Sequence, residues 1–117
     1  AIAQPDWQVY CERTADMIVS EQSPARLLEV RGRLYELLVH AIPASLIFKT
    51  LAHDIVRRVD ESLRASIIEK AAFYDVYIFL TQELRCVSGN KPIFHLEAFV
   101  AQVMFLQKSL LLGMDLE

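Results

Sequence analysis

Apolar positions recur at intervals of three and four through nearly the whole chain, and the pattern breaks at proline, glycine and serine. Gln4-Pro5-Asp6 opens the first such segment: proline fits a first helical turn, and Asp6 sets negative charge at the positive end of the helix dipole. Its inner face is Trp7, Tyr10, Cys11, Thr14, Met17 and Ile18, and the pattern stops near Glu21. Ser23-Pro24 supplies an N-cap and a first-turn residue, which predicts a second helix from Pro24 to about Ala41. Leu27, Leu28, Val30, Leu34, Tyr35, Leu37, Leu38 and Ile42 form its apolar arc, with Glu29, Arg33, Glu36 and His40 opposite. Ile42-Pro43 ends it, because proline lacks a donor and restricts the residue before it. A third helix is expected from about Ala44 to Val59, with Ile47, Phe48, Leu51, Ala52, Ile55 and Val59 inside and Lys49, His53 and Arg57 outside.

Asp60 is placed to cap a fourth helix whose inner line is Leu63, Ile67, Ala71 and Tyr74, with Ile68 and Phe73 off that line. Val76 to Leu80, VYIFL, is too short and too uniformly apolar for its period to separate strand from helix; the helix is expected to continue through it to about Arg85. Val87-Ser88-Gly89-Asn90 is a turn, in which Gly89 or Asn90 can take a positive φ. Pro92 starts a last helix and Gly113 ends it. Five helices, short connections and no strands predict an all-α, bundle-like single domain over residues 1–117.

The last helix has two apolar faces. Ile93, Leu96, Phe99, Val100, Val103, Met104, Leu110 and Leu111 lie on one broad side, and Phe94, Ala98, Ala101, Phe105 and Leu112 on roughly the opposite one. Lys91, His95, Gln102 and Ser109 form one polar flank, Glu97 and Lys108 the other. A surface helix needs only one apolar stripe, so this helix is either central to its own domain or packed inside on one face and against another chain on the other. Arg31 falls within the apolar arc of the second helix, where an unpaired guanidinium is costly. It either snorkels out at the edge or meets a carboxylate or backbone carbonyls across an interface. Gly32 beside it predicts a close approach by a neighbouring helix, since glycine costs about 1 kcal/mol relative to alanine inside a helix.

Composition sharpens this picture. Apolar residues make up 54% of 117 residues, and the mean hydropathy is +0.28, so part of the apolar surface is expected to meet a partner. The net charge of −3, with no basic block, lacks the electrostatic footprint of a free-standing nucleic-acid binder. Cys11 and Cys86 are far apart and read as reduced, buried thiols. His95 and Glu97 interrupt the best apolar run below the roughly 18 residues of a membrane span. The missing initiator Met suggests a piece of something longer.

No catalytic or ligand-binding pattern emerges, so no cofactor or metal is expected. His40, His53 and His95 sit on three different helices without metal-ligand spacing, and His95 and Glu97, two apart, point about 200° from each other. Gly32, Gly89 and Gly113 are too scattered for a phosphate loop, no Ser or Cys sits in a nucleophile elbow, and Asp60-Glu61 reads as a cap.

Three ordered blocks carry a resemblance: EQSPARLLEVRGRLYELLVHAIP at Glu21 to Pro43, KAAFYD at Lys70 to Asp75, and GNKPIFHLEAFVA at Gly89 to Ala101. Together they resemble the C-terminal collar domain of the small subunits of eukaryotic replication factor C, the subunit 3 kind in particular. The resemblance implies one subunit of a hetero-pentameric AAA+ clamp loader, a nuclear assembly that uses ATP to open the sliding clamp and place it on primer-template DNA. In that family the helical domain joins the collar that holds the ring together, while the ATP-binding P-loop, the acidic Mg²⁺ motif and the arginine finger belong to AAA+ modules that are not in these 117 residues. The chain would then supply assembly with the other replication factor C subunits, not catalysis, and would reach clamp and DNA only through the whole complex, with no membrane involved. Arg31, Tyr35, Phe94 and Phe105 are the candidate interface residues; each could instead serve the domain's own packing. The sequence departs from the family pattern at Val76 to Gln82, VYIFLTQ, about seven residues standing where the family has hardly any. The alternative functions are a free-standing helical adaptor that binds an amphipathic helix or peptide in an interhelical groove, and a small helical enzyme or ligand-binding bundle.

Overall fold

The computed structural model describes residues 4–83 and 92–113. Its five helices are α1 (Gln4–Ser20), α2 (Pro24–Val39), α3 (Ala44–Arg58), α4 (Glu61–Glu83) and α5 (Pro92–Leu111), and no strand occurs among the described residues. The turn at Val87 to Asn90 and Cys86 lie outside them.

The helix ends follow the expected chemistry. Ser23, extended at φ −148° and ψ 158°, accepts the Arg26 backbone N–H on its hydroxyl at 3.1 Å, with Pro24 in the first turn. Three side chains satisfy the exposed carbonyls at the end of α1: Gln22 donates to Val19 at 2.8 Å, Arg26 to Met17 at 2.9 Å and Gln107, from α5, to Val19 at 3.2 Å. Asp60 caps α4 by accepting the Ser62 N–H at 3.0 Å, and the Ser62 hydrogen bonds hold its carboxyl below the usual carboxylate range. α2 stops two residues earlier than expected, at Val39, in a turn that the sequence does not advertise. Ala41 takes φ 65° while its N–H bonds Leu38 and that of Ile42 bonds Leu37. This is the hydrogen-bond pattern of a Schellman cap with alanine in the position that glycine usually fills. At the end of α5, Gly113 (φ 71°) does fill such a position.

α3 packs against α1 and α4, and α5 against α4 and α2. The core runs through Trp7, Cys11 and Ile18 of α1, Val30, Leu34 and Leu37 of α2, Ile47, Phe48, Leu51 and Ile55 of α3, Leu63, Ile67 and Ile78 of α4, and Ile93, Leu96, Phe99, Val100 and Val103 of α5. Phe99 is central: its ring lies edge-on to Phe48 at 4.8 Å and to Tyr74 at 6.1 Å. Burial pushes the Cys11 thiol up to about 12, with the nearby Asp54 charge acting in the same direction.

α4 continues through Val76 to Leu80 as expected, and within that apolar run only Ile78 is buried. Several expectations are corrected. Leu28, assigned to the buried arc of α2, is exposed, because α1 and α5 cover an arc narrower than the apolar one. Leu111 is exposed as well, whereas Leu106 and Ser109 are buried. The buried stripe of α5 follows Leu96, Phe99, Val103, Leu106 and Leu110 at alternating steps of three and four. Such a stripe drifts about 20° per heptad from a straight 3.6-residue line, and Leu111 lies on the straight line through Ile93. Asp54, on which the sequence reading is silent, is also buried. It keeps an ion pair with Arg57 at 3.6 Å, and burial raises its carboxyl above the usual range despite the Arg58 and Arg57 charges.

Gly32 is the clearest correction. A Cβ built on it would meet nothing within 4 Å, so no helix approaches it closely. Gly32→Ala is therefore expected to stabilise the domain by about 0.5–1 kcal/mol through helix propensity and a less mobile unfolded chain. Urea denaturation checks this; a loss of stability would mean that the glycine has a packing role after all.

Candidate subunit-interface surface

Among the described residues fifteen large apolar side chains are exposed, more than half of them on α4 and α5. On α5, Phe94 is 47% exposed and Phe105 60%, with Ala101 exposed and Ala98 half-buried between them, and Leu112, just past the helix end, is 65% exposed. This is the second apolar face of the helix, and the other face is filled by the core. On α4, Ile68 is exposed in the N-terminal half, and Phe73, Val76, Tyr77, Phe79 and Leu80 stand out around the C-terminal half, so that this last stretch is apolar on nearly all sides. A helix apolar all round is one that becomes buried. The two helices are joined at the surface by aromatic rings: Phe73 lies edge-on to Tyr77 at 4.8 Å, and Tyr77 stacks on His95 of α5 at 5.6 Å, with 16° between the planes.

α2 adds a third strip, of Leu28, Tyr35 and Val39. Arg31 lies on the same side, and its guanidinium carbon is 5.6 Å from the Tyr35 ring centroid. Its carboxylate partner comes from the chain itself: Nε faces Glu97 of α5 at 3.6 Å, with both side chains partly exposed. At that separation Nε makes no hydrogen bond although it is buried. The pair bridges α2 and α5 but is not a tight one. Of the four candidate interface residues, Arg31 and Tyr35 thus share the α2 strip, and Phe94 and Phe105 the α5 strip.

Arg33, expected on the outer side of α2, folds back onto α1. It donates to Thr14 Oγ1 at 2.8 Å and the Tyr10 carbonyl at 3.2 Å, and its guanidinium carbon is 3.9 Å from the Tyr10 ring centroid. A long side chain reaches that far only when the neighbouring helix is in place, so no sequence period reports it.

Two depressions are lined by described residues. One, about 690 Å³ and wide open, is lined by Val9, Glu12, Arg13, Asp16, Met17, Arg33 and Arg58. Its charges oppose one another, with Arg58 3.9 Å from Asp16, and Arg33 is bound to α1. The other, about 300 Å³ and largely apolar, lies between α3 and α4 over Phe48, Ala52, Ile68, Ala71 and Ala72, with Lys49 and Asp75 among its lining. Among the described residues no three His, Cys, Asp or Glu side chains gather as a metal site. No described helix is long and apolar enough to cross a membrane. The chemistry this surface offers is apolar burial and ion pairing, which is the chemistry of association.

Residues 7–111 match the family model described as replication factor C subunit 3, C-terminal domain. The chain belongs to that family. It is 48% identical over 107 residues to replication factor C subunit 3 of Homo sapiens, a match covering 92% of this chain and 28% of the human protein. Replication factor C subunit 5 of Neurospora crassa is 44% identical over 115 residues, covering 98% of this chain and 30% of that protein. The Schizosaccharomyces pombe subunit 5 is 46% identical over 112 residues, covering 96% and 29% respectively. The chain thus spans less than a third of the length of these relatives, and what it matches is the C-terminal domain of a replication factor C subunit. The segment IFHLEAFVA serves both sides of α5: Ile93, Leu96, Phe99 and Val100 are in the core, and Phe94 and Ala101 are on the exposed strip.

Proposed function

We propose that this domain is the collar element of a replication factor C small subunit, which holds a hetero-pentameric, ATP-driven clamp loader together in the nucleus for DNA replication. In this reading the domain supplies assembly through its apolar strips, with ATP hydrolysis belonging to AAA+ modules, and with sliding clamp and primer-template DNA met only by the whole complex. The observation that carries the reading is the apolar surface spread over α2, α4 and α5 of a domain whose own core is already filled.

The test is the light-scattering mass of the purified chain, alone and mixed with the C-terminal domains of the other replication factor C small subunits. A defined hetero-complex is expected. A monomer indifferent to every such partner would overturn the collar reading and favour a helical adaptor, for which the apolar depression between α3 and α4 is the docking groove.

Arg31→Ala is expected to weaken assembly more than folding. Its ion pair is loose and partly exposed, so the stability lost is about 1 kcal/mol or less. Removing the guanidinium also frees Tyr35 and Glu97 to move at the edge of the surface, and a several-fold weaker association should follow. Denaturation and mixing experiments on the same variant separate the two effects; unchanged association would leave Arg31 a purely internal link between α2 and α5.

A further inference from the structure

The exposed strip of α5 carries more than apolarity. Phe94, Ala98, Ala101, Phe105, Lys108 and Leu112 are spaced four, three, four, three and four, and this is the alternation of a seam between two helices. Leu112 remains in register because its N–H still bonds the Lys108 carbonyl at 3.0 Å. Large side chains stand on either side of two alanines, so the middle of the seam is a depression that admits the ridge of another helix. A strand is a poor occupant, since the backbone groups of α5 are spent within the helix and offer no edge to pair with.

Lys108 is the exception in the seam. It is exposed, lies between Phe105 and Leu112, and has no ion-pair partner among the described residues. A partner that covers Phe105 and Leu112 also draws the ammonium out of water, which is costly unless an opposite charge meets it. We infer that the occupant of this seam is an α-helix of a neighbouring subunit, packed along α5 with its own three-four apolar stripe, and carrying an aspartate or glutamate opposite Lys108. This rests on the collar reading and names what the neighbour must present.

The experiment uses the chain mixed with the C-terminal domains of the other replication factor C small subunits, probed by lysine acetylation and zero-length carbodiimide crosslinking with mass spectrometry. Acetylation of Lys108 is expected to slow about tenfold or more in the complex, and a crosslink should join Lys108 to an acidic residue of a neighbour. Lys108→Glu should weaken the complex by about tenfold, while Lys108→Arg retains it. A complex that forms with Lys108 acetylated at the rate of the free chain overturns this inference and leaves the collar reading standing. Failure to form any complex overturns both. Protection of Lys108 in the chain alone, with doubled mass and a crosslink between copies, would overturn the neighbouring subunit as occupant in favour of a second copy.

Discussion

Phe94→Glu combined with Phe105→Glu is expected to leave the domain folded and to remove its association with neighbouring subunits. Both rings are about half exposed or more, so replacing them costs the isolated domain little, about 0.5 kcal/mol each. At position 94, in the first turn of α5, a carboxylate even suits the helix dipole. At an interface the same two changes remove two aromatic anchors and bury two charges. Interface aromatics of this kind are often worth about 2 kcal/mol or more apiece, so an affinity loss beyond about a hundredfold should follow. Circular dichroism and light scattering on the double variant read the two effects separately. An unfolded variant would mean that this face belongs to the domain's own core, and full association would mean that the partner lies elsewhere.

Phe99→Ala, on the same helix, should do the reverse. Phe99 has no exposed surface and contacts the rings of Phe48 from α3 and Tyr74 from α4. Emptying that position removes a large buried side chain and leaves a cavity where three helices meet, at a cost of about 3–5 kcal/mol. Against a total stability of about 5–15 kcal/mol for a domain of this size, the variant should be marginally folded or unfolded at ambient temperature. The midpoint of urea denaturation measures the loss; a shift equivalent to less than about 1 kcal/mol would refute the packing arrangement of α3, α4 and α5. The contrast between the two variants, five or six positions apart on one helix, is a direct test of its two-sidedness.

On the collar reading proposed above, each strip needs a neighbour that fits it. The α4 strip with Phe73 and Tyr77 continues through the Tyr77–His95 stack onto α5, and the α2 strip meets α5 at the Arg31–Glu97 pair. α5 therefore stands between the other two strips, and for that reason disturbing it is expected to have the largest effect on assembly. The apolar run Val76 to Leu80 extends the α4 strip with Val76, Tyr77, Phe79 and Leu80. We propose that it enlarges the surface available to a neighbour on that side.

Much of the fold was legible because its signals are local. Ser23-Pro24, Pro43, Asp60 and Pro92 act on their own turns of backbone, and each marks a helix boundary of the structure. The three-four spacing along α1, α3 and α4 identified most of the core because each of those helices buries a single arc. Elsewhere a long side chain or a neighbouring helix decides. Arg33 counted as polar and outward, yet it is long enough to reach the Tyr10 carbonyl once α1 lies alongside. The position of Arg31 in an apolar arc is compatible with snorkelling or with an interface, and its carboxylate is Glu97, sixty-six positions later.

The sequence by itself determined where the helices begin, that α5 is apolar on two sides, and which blocks carry the family resemblance, because caps, prolines and periodicity are properties of neighbouring residues. Only the tertiary structure decided which apolar arcs are covered. It buried Ile78 within an otherwise exposed run, turned Leu111 and Leu28 outward, drew Ser109 and Asp54 inward, and left Gly32 in open space. The physical reason is that a helix presents its side chains in all directions, and burial depends on which of those directions another helix happens to occupy.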